Sequence, residues 1–230
     1  MAYNGEMNTE SYKKMCGEAA AREVQSGDIV GLGTGSTVYY TIKYLGELTR
    51  EEGLGIIGIP TSIATEKIAR ESGIPLGTFE EYQELDIAID GADQVDPGFN
   101  LIKGGGGAHV REKIVATAAK RFIVVADETK IVQTLSMAVP VEVLPFSLGL
   151  VMKKLSELGA TPFLRLSGNN YFITDNKNYV IDADFGAITN PKKLETEINA
   201  IHGVVDNGIF TDLTSEVYIG ANYGVKTLRK

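Results

Sequence analysis

Cysteine is nearly missing from this 230-residue sequence, where Cys16 stands alone. One thiol excludes an intramolecular disulfide and a cysteine-rich zinc site, and it fits a reducing compartment. Histidine is almost as scarce: His109 and His202, with the single cysteine, give no metal-ligand spacing. Basic residues fall short of acidic ones, 22 against 30, which leaves a formal charge of −8. That balance speaks against a nucleic-acid duplex as partner, although a local basic pocket is compatible with it. Long apolar runs are also lacking. Nothing approaches the ~18 apolar residues of a membrane span. The first segment carries Glu6, Glu10, Lys13 and Lys14 where a secretory leader needs an apolar stretch. The expected address is cytoplasmic, with no membrane partner.

What is present is an ordinary globular balance, 43% hydrophobic and 23% charged, which excludes disorder and coiled coil for the whole chain. The length suits one large domain with a smaller companion. Glycine is the outlier. The 26 glycines exceed the usual ~7% share, and they concentrate at Gly31–Gly35 and Gly104–Gly107. No repeat or Ser/Pro-rich linker accompanies them, so the clusters read as positional.

The first half alternates. Glu10 to Gln25 reads as a helix, Asp28 to Leu32 as a buried strand, Val38 to Arg50 as a helix and Gly55 to Ile59 as a strand. Ser62 is placed to cap a helix that stops at Gly73. Asp86 to Asp90 and Arg121 to Ala126 read as strands around a helix from Val110 to Lys120. Strand and helix in alternation imply a parallel sheet covered on both faces. After about Val132 the pattern changes to β-α-β-β-α-β with one weak extra strand: strands at Val139–Leu144 and Thr161–Ser167, helices at Ser147–Leu158 and Pro191–Ala200, and a strand near Val204. That order points to a ferredoxin-like unit, with Asn207-Gly208 as its exit. The tail strands Glu216–Gly220 and Gly224–Leu228 would return to the first sheet. The expected division is 1–132 plus 207–230 for a Rossmann-like α/β domain and 133–206 for a smaller inserted ferredoxin-like α+β domain.

Three loops carry the chemistry. Gly31-Leu-Gly-Thr-Gly-Ser-Thr37 joins a strand to a helix. Its glycines let backbone N–H groups turn toward an anion, and the helix behind adds unpaired donors. A phosphate fits. A dinucleotide fits less well, because G-x-G-x-x-G is broken at Ser36 or Val38 and no acid follows the second strand. Taken alone, the loop is equally a tight turn without a ligand. Asp90-Gly-Ala-Asp93 follows the apolar strand Ile87-Ala-Ile89, at the end where open α/β sheets bind ligands. Its acids suit sugar hydroxyls, a metal or proton transfer, although Asp-Gly more commonly makes a turn or cap. Lys103-Gly-Gly-Gly-Gly-Ala-His-Val-Arg-Glu-Lys113 is odder. Four successive glycines cost chain entropy, so close backbone approach is the favoured explanation. A cation, a row of N–H donors and Glu112 suit proton abstraction beside a carbonyl, with Glu112 as base and Lys103 stabilising the oxyanion. Lys130, past a strand end, is placed either to reach the same crevice or to be a surface lysine.

Read together, these loops closely resemble type A ribose-5-phosphate isomerases. The likeness extends in order through Pro60-Thr-Ser-Ile-Ala-Thr-Glu66, Val124-Val-Ala-Asp-Glu-Thr-Lys130, Pro140-Val-Glu-Val-Leu144 and Gly224-Val-Lys-Thr227. The resemblance implies interconversion of D-ribose 5-phosphate and D-ribulose 5-phosphate through an enediolate, with no cofactor, in a homodimer or homotetramer. By motif, Glu112 would be the base, and Asp90 would handle hydroxyl protons and ring opening. Asp93 and Lys103 would bind or polarise the reacting oxygens. Thr34, Gly35, Ser36 and Thr37, with Lys130 and Lys13, would hold the phosphate end and the chain hydroxyls. The rest of the substrate-binding set would be Gly91, Ala92, Gly104, Gly105 and Gly106. Gln94 stands where the family commonly has an acid, and Gly107-Ala108-His109 is a variable stretch. Two rival readings are a non-catalytic sugar-phosphate-binding sensor, which would need an output module, and a nucleotide-dependent oxidoreductase, which the broken fingerprint disfavours.

Overall fold

The computed structural model describes residues 3–230, with side chains from Thr9 onward. In chain order the elements begin with α1 (Tyr3–Ala21), β1 (Ile29–Leu32), α2 (Ser36–Glu51), β2 (Ile57–Pro60), α3 (Ile63–Glu71) and β3 (Leu85–Gly91). Two short strands follow, β4 (Gln94–Val95) and β5 (Leu101–Ile102), then α4 (His109–Ala118) and β6 (Ala119–Asp127). The next elements are β7 (Val139–Val143), α5 (Leu148–Glu157), β8 (Thr161–Leu164), β9 (Leu166–Ser167), β10 (Asn170–Tyr171) and β11 (Tyr179–Asp184). The chain closes with α6 (Pro191–Asn199), β12 (Val204–Asn207), β13 (Ile209–Phe210), β14 (Glu216–Ala221) and β15 (Gly224–Arg229).

The chain divides into two compact units, one of residues 1–92, 111–131 and 213–230 and the other of 93–110 and 132–212. The first unit holds a six-stranded sheet in the order β15-β14-β6-β3-β1-β2. All its pairings are parallel except the closing β14–β15 hairpin. The tail therefore returns to the first sheet, as its alternation predicts. The core of this unit gathers Cys16 and Ala20 of α1, Val38, Ile42 and Leu45 of α2, and Val30, Ile87, Ile89, Ile123 and Val125 of the sheet. Each fully buried Val, Leu or Ile contributes roughly 1.5–3 kcal/mol relative to exposure. Ser62 caps α3 as expected, its side chain accepting from Thr65 N.

The second unit is built on an antiparallel sheet ordered β12-β7-β11-β8. With α5 between β7 and β8 and α6 between β11 and β12, this is the ferredoxin-like arrangement that the sequence order implies. The weak extra strand is the β9–β10 hairpin. Val139, Val141, Val143, Val151, Leu155, Ile181 and Ile198 fill its core, together with Ile102 and Ile209.

Those last two residues explain where the boundaries differ from the expected 133–206. β5 pairs with β4 on one side and with β13 on the other, so 93–110 joins the smaller unit. Asn207-Gly208 is no exit. Asn207 is buried and donates to Glu195 O and Asn199 Oδ1. Gly208 donates to Pro140 O and accepts from Lys103 N. The chain leaves this unit only after Asp212.

Candidate active site

In the larger unit, β6, β3 and β1 lie side by side and parallel. Their carboxyl ends carry, in that order, the turn leading to Lys130, the segment Asp90–Ala92, and the loop Gly33–Thr37. Candidate residues as far apart in sequence as Thr34 and Lys130 thus share one sheet end, the usual ligand position in open α/β sheets. The β1 loop is tied down from two directions. Gly33 N donates to Ile89 O at 3.0 Å, and Thr34 N donates to Asp90 Oδ1 at 3.1 Å. Gly33 has to be glycine, because a Cβ there would lie 2.2 Å from Asp90 Oδ1. The same Asp90 oxygen accepts from Gly91 N at 2.7 Å, and Asp90 is only 2% exposed.

Four hydroxyls lock the other flank of the loop. Thr34 Oγ1 lies 2.7 Å from Thr61 Oγ1, 2.9 Å from Ser62 Oγ and 2.9 Å from Thr65 Oγ1. Thr65 Oγ1 in turn donates to Gly33 O at 2.8 Å. The Thr34 hydroxyl is thereby engaged in shaping the loop. Gly35, at φ 136°, caps α2 without a side-chain hydrogen bond. That cap places the first turn of a 16-residue helix, with exposed Ser36, at the loop mouth, a geometry suited to an anion.

Glu112 stands in the first turn of α4 and is 4% exposed. α4 runs directly into the start of β6, so its first turn lies toward the carboxyl ends of the strands. Three residues on, Val115 packs on β1: a Cβ at Gly31 would meet Val115 Cγ1 at 2.4 Å. Lys130 ends a short 3-10 turn capped by Asp127, whose carboxylate accepts from Thr129 N and Thr129 Oγ1. Lys13 lies on α1 and pairs with Glu10 at 3.6 Å. Asp86, the other acid of the β3 strand, is structural. It accepts from Ile29 N and Lys120 Nζ, and these partners hold its carboxyl below the usual range. A cavity of about 380 Å³ in this unit, lined by residues such as Pro60, Arg70, Phe79 and Arg111, contains none of the candidate residues.

The smaller unit holds the remaining candidates. Asp93 N donates to Ile102 O at 2.8 Å, which places Asp93 beside the start of the glycine ribbon. Its Oδ2 accepts from Gly105 N at 2.8 Å. Gly107 N closes a turn onto Gly104 O. Lys103 is 2% exposed, with Nζ 5.6 Å from the centre of the Phe210 ring. His109 is fully buried beneath Gly104, where a Cβ would meet its Nδ1 at 2.8 Å. Gln94 uses Oε1 to accept from Ser136 N and Met137 N, a task that an acid at this position would perform equally. The sequence reading missed one residue here. Arg165, between β8 and β9, donates to the carbonyls of Gly104 and Gly105. It also missed the roles of Thr61, Ser62 and Thr65, although their segment stood among the matching motifs.

A parallel α/β sheet with a buried carboxylate, a glycine-rich strand-to-helix loop and a helix-borne glutamate toward its strand ends is the architecture of an α/β enzyme. The comparisons make this specific. The family model for ribose 5-phosphate isomerase A (phosphoriboisomerase A) matches residues 57–224. The ribose-5-phosphate isomerase A of Methanosarcina acetivorans is 53% identical over 214 residues, covering 92% of this chain and 91% of that protein. The Methanothermobacter thermautotrophicus relative of the same name is 47% identical, covering 94% and 97%. Among solved structures, the ribose 5-phosphate isomerase A of Methanocaldococcus jannaschii superposes with a TM-score of 0.93 at 44% identity, over 96% of this chain and all of that one. A D-ribose-5-phosphate isomerase in complex with phospho-erythronic acid gives 0.94 at 41% identity, over 97% and 100%. The chain belongs to the ribose 5-phosphate isomerase A family.

Proposed function

We propose that the chain interconverts D-ribose 5-phosphate and D-ribulose 5-phosphate by base-catalysed proton transfer, with Glu112 as the base. In the open-chain aldose the Glu112 carboxylate takes the proton from C2. The C2–H electron pair becomes the C1–C2 double bond, and the carbonyl electrons move to O1, giving an enediolate. Glu112 then returns the proton to C1, the O2 proton passes to O1 to complete the C1 hydroxyl, and the O2 electrons restore a carbonyl at C2. Oxidation at C2 balances reduction at C1, so no external redox partner is needed. Asp90 serves the hydroxyl protons and ring opening, and Asp93 and Lys103 engage the reacting oxygens. Base catalysis of this kind supplies about 10²–10⁴-fold, and one oxyanion donor about 10²–10³-fold. Ser36, Thr37 and the first turn of α2, with Lys130 and Lys13, hold the phosphate. Gripping a remote phosphate positions the reacting carbons.

The observation that carries this reading is the pair of buried carboxylates in the strand-end region of one unit, Asp90 held by backbone N–H groups and Glu112 on the first turn of α4. It favours a catalyst over a non-catalytic sensor, because a sensor needs no buried base. The test is ketose formation from D-ribose 5-phosphate by the purified protein with a chelator present. Appearance of D-ribulose 5-phosphate supports the reading; tight sugar-phosphate binding without ketose overturns it in favour of the sensor.

No described helix is long and apolar enough to cross a membrane, and a cytoplasmic address accords with the lone reduced cysteine. The reading includes a homodimer or homotetramer, supported by Leu144, Phe146 and Leu150, apolar side chains exposed on the smaller unit. Light scattering that gives a monomer mass would overturn it.

A further inference from the structure

The glycine ribbon is useful only if its peptide planes face the right way, and glycine does nothing by itself to orient them. The smaller unit supplies that orientation. Arg165 Nη1 donates to Gly104 O at 2.8 Å and to Gly105 O at 3.1 Å. In a trans peptide the C=O and the following N–H point in opposite directions. Fixing Gly104 O therefore aims Gly105 N–H the other way, and that N–H donates to Asp93 Oδ2 at 2.8 Å. The 104–105 peptide is clamped at both ends, its carbonyl by the guanidinium together with Gly107 N–H and its N–H by a candidate catalytic carboxylate. Fixing Gly105 O aims Gly106 N–H in the same manner, at a residue where an added Cβ would meet no atom within 4 Å.

Arg165 is itself immobilised. Its Nε donates to Asp182 Oδ2 at 2.8 Å and its Nη2 to Asp182 Oδ1, a two-pronged pair. Its guanidinium lies 5.7 Å from the centre of the Phe172 ring, and the edge of that ring occupies the space a Cβ on Gly107 would need. The side chain is 14% exposed. Its backbone is held on both sides, with N donating to Val180 O and O accepting from Phe172 N, at the break between β8 and β9. A planar fork that serves a carboxylate and two carbonyls at once is a task for arginine, and lysine cannot reproduce it.

We propose that Arg165, backed by Asp182 and Phe172, is a positioning residue for the isomerisation, setting the peptide planes of the ribbon so that Gly106 N–H and the Asp93 carboxylate meet the reacting oxygens. The proposal rests on the reading of the ribbon as an oxyanion-stabilising element. It predicts a loss in the transition state more than in substrate binding.

The experiment compares R165K, D182N and G106P with the parent protein in steady-state kinetics, thermal melting, and inhibition by phospho-erythronic acid and by inorganic phosphate. The planar carboxylate of phospho-erythronic acid resembles the enediolate, whereas phosphate reports on the anchor alone. For R165K the expected result is a kcat lower by about 10- to 100-fold with KM within about threefold, since a misplaced donor forfeits part of its worth. Its inhibition by phospho-erythronic acid weakens in step with kcat, and inhibition by phosphate is unchanged. D182N, which keeps the guanidinium but loosens it, shows the same split at smaller size and carries the test if R165K does not fold. Unchanged kcat and inhibition in both variants overturns the proposal. So does an equal loss for both inhibitors accompanied by a lowered melting temperature, which marks a merely structural residue. G106P removes the N–H itself. If G106P turns over normally, the ribbon reading fails; if it is impaired while R165K is not, that reading stands and Arg165 has no part in it.

Discussion

The two glycine-rich loops look alike in the sequence and are built for different purposes. In the Gly31–Thr37 loop the glycines make room. Gly33 lets a buried carboxylate approach, and the loop is then fixed by hydroxyls from Thr61, Ser62 and Thr65 and by Asp90. In the Lys103–Gly107 ribbon the glycines supply freedom of direction, and a charged pair, Arg165 with Asp182, removes it again. The first device freezes a shape mainly with hydroxyl hydrogen bonds, helped by the Asp90 carboxylate; the second aims dipoles with an ion pair. Neutral hydrogen bonds contribute about 0.5–1.5 kcal/mol each and charge-assisted ones roughly twice that. Damage to the first loop should therefore register in anchoring and stability, and damage to the second in turnover.

The sharpest break in this comparison is G33A. The new methyl would collide with the Asp90 carboxylate at 2.2 Å, so both units of function suffer. We expect turnover to fall at least 10²-fold and stability by about 1–3 kcal/mol, read by the pentose-phosphate assay and by urea unfolding. A fully active G33A would mean that the contact is not needed. T65V is milder: it keeps the shape but leaves Gly33 O without its 2.8 Å donor. About 1–2 kcal/mol of stability should be lost, with KM raised more than kcat is lowered. The opposite split would erase the distinction between the loops.

A control away from both loops is R121M. Arg121 bridges Glu23 and Glu216, and Tyr218 also donates to Glu23. These partners hold Glu23 below the ordinary carboxylate range, and Arg121 with Arg229 does the same for Glu216 against the opposing effect of burial. A depressed folded pKa gives stability that is present above the unfolded value and lost as pH falls through the folded one. Stability should thus decline below about pH 4.3, the free glutamate value. R121M should lose about 1 kcal/mol at neutral pH, after allowance for a partly exposed arginine, and show a flatter acid limb in melting curves. kcat should be unchanged. The smallest effect concerns Cys16, whose thiol burial pushes up to about 11. It should resist alkylation at pH 8 in the folded protein and react on unfolding.

Much of this was legible in the sequence because it is written in periodicity and local composition. The alternation of apolar strands and helices revealed the parallel sheet, the return of the tail and the ferredoxin-like order. Glycine clusters marked both loops. What escaped depends on partners far along the chain. Two-residue strands such as Gln94–Val95 and Leu101–Ile102 are too short to show alternation, so the true limits of the smaller unit were hidden. Arg165 acts on carbonyls 60 and 61 residues away, and nothing in Thr161–Ser167 announces a break in the strand there.

The proposed isomerisation turns on the carboxylate of Glu112. The most direct measurement is E112Q run in D2O with D-ribose 5-phosphate, following ketose formation and deuterium entry at C1 of the ketose, the carbon that gains hydrogen. The predicted result is loss of both by at least about 10³-fold, with phospho-erythronic acid still bound. Ketose formation within about threefold of the parent rate, a difference of under 1 kcal/mol in the barrier, would contradict it.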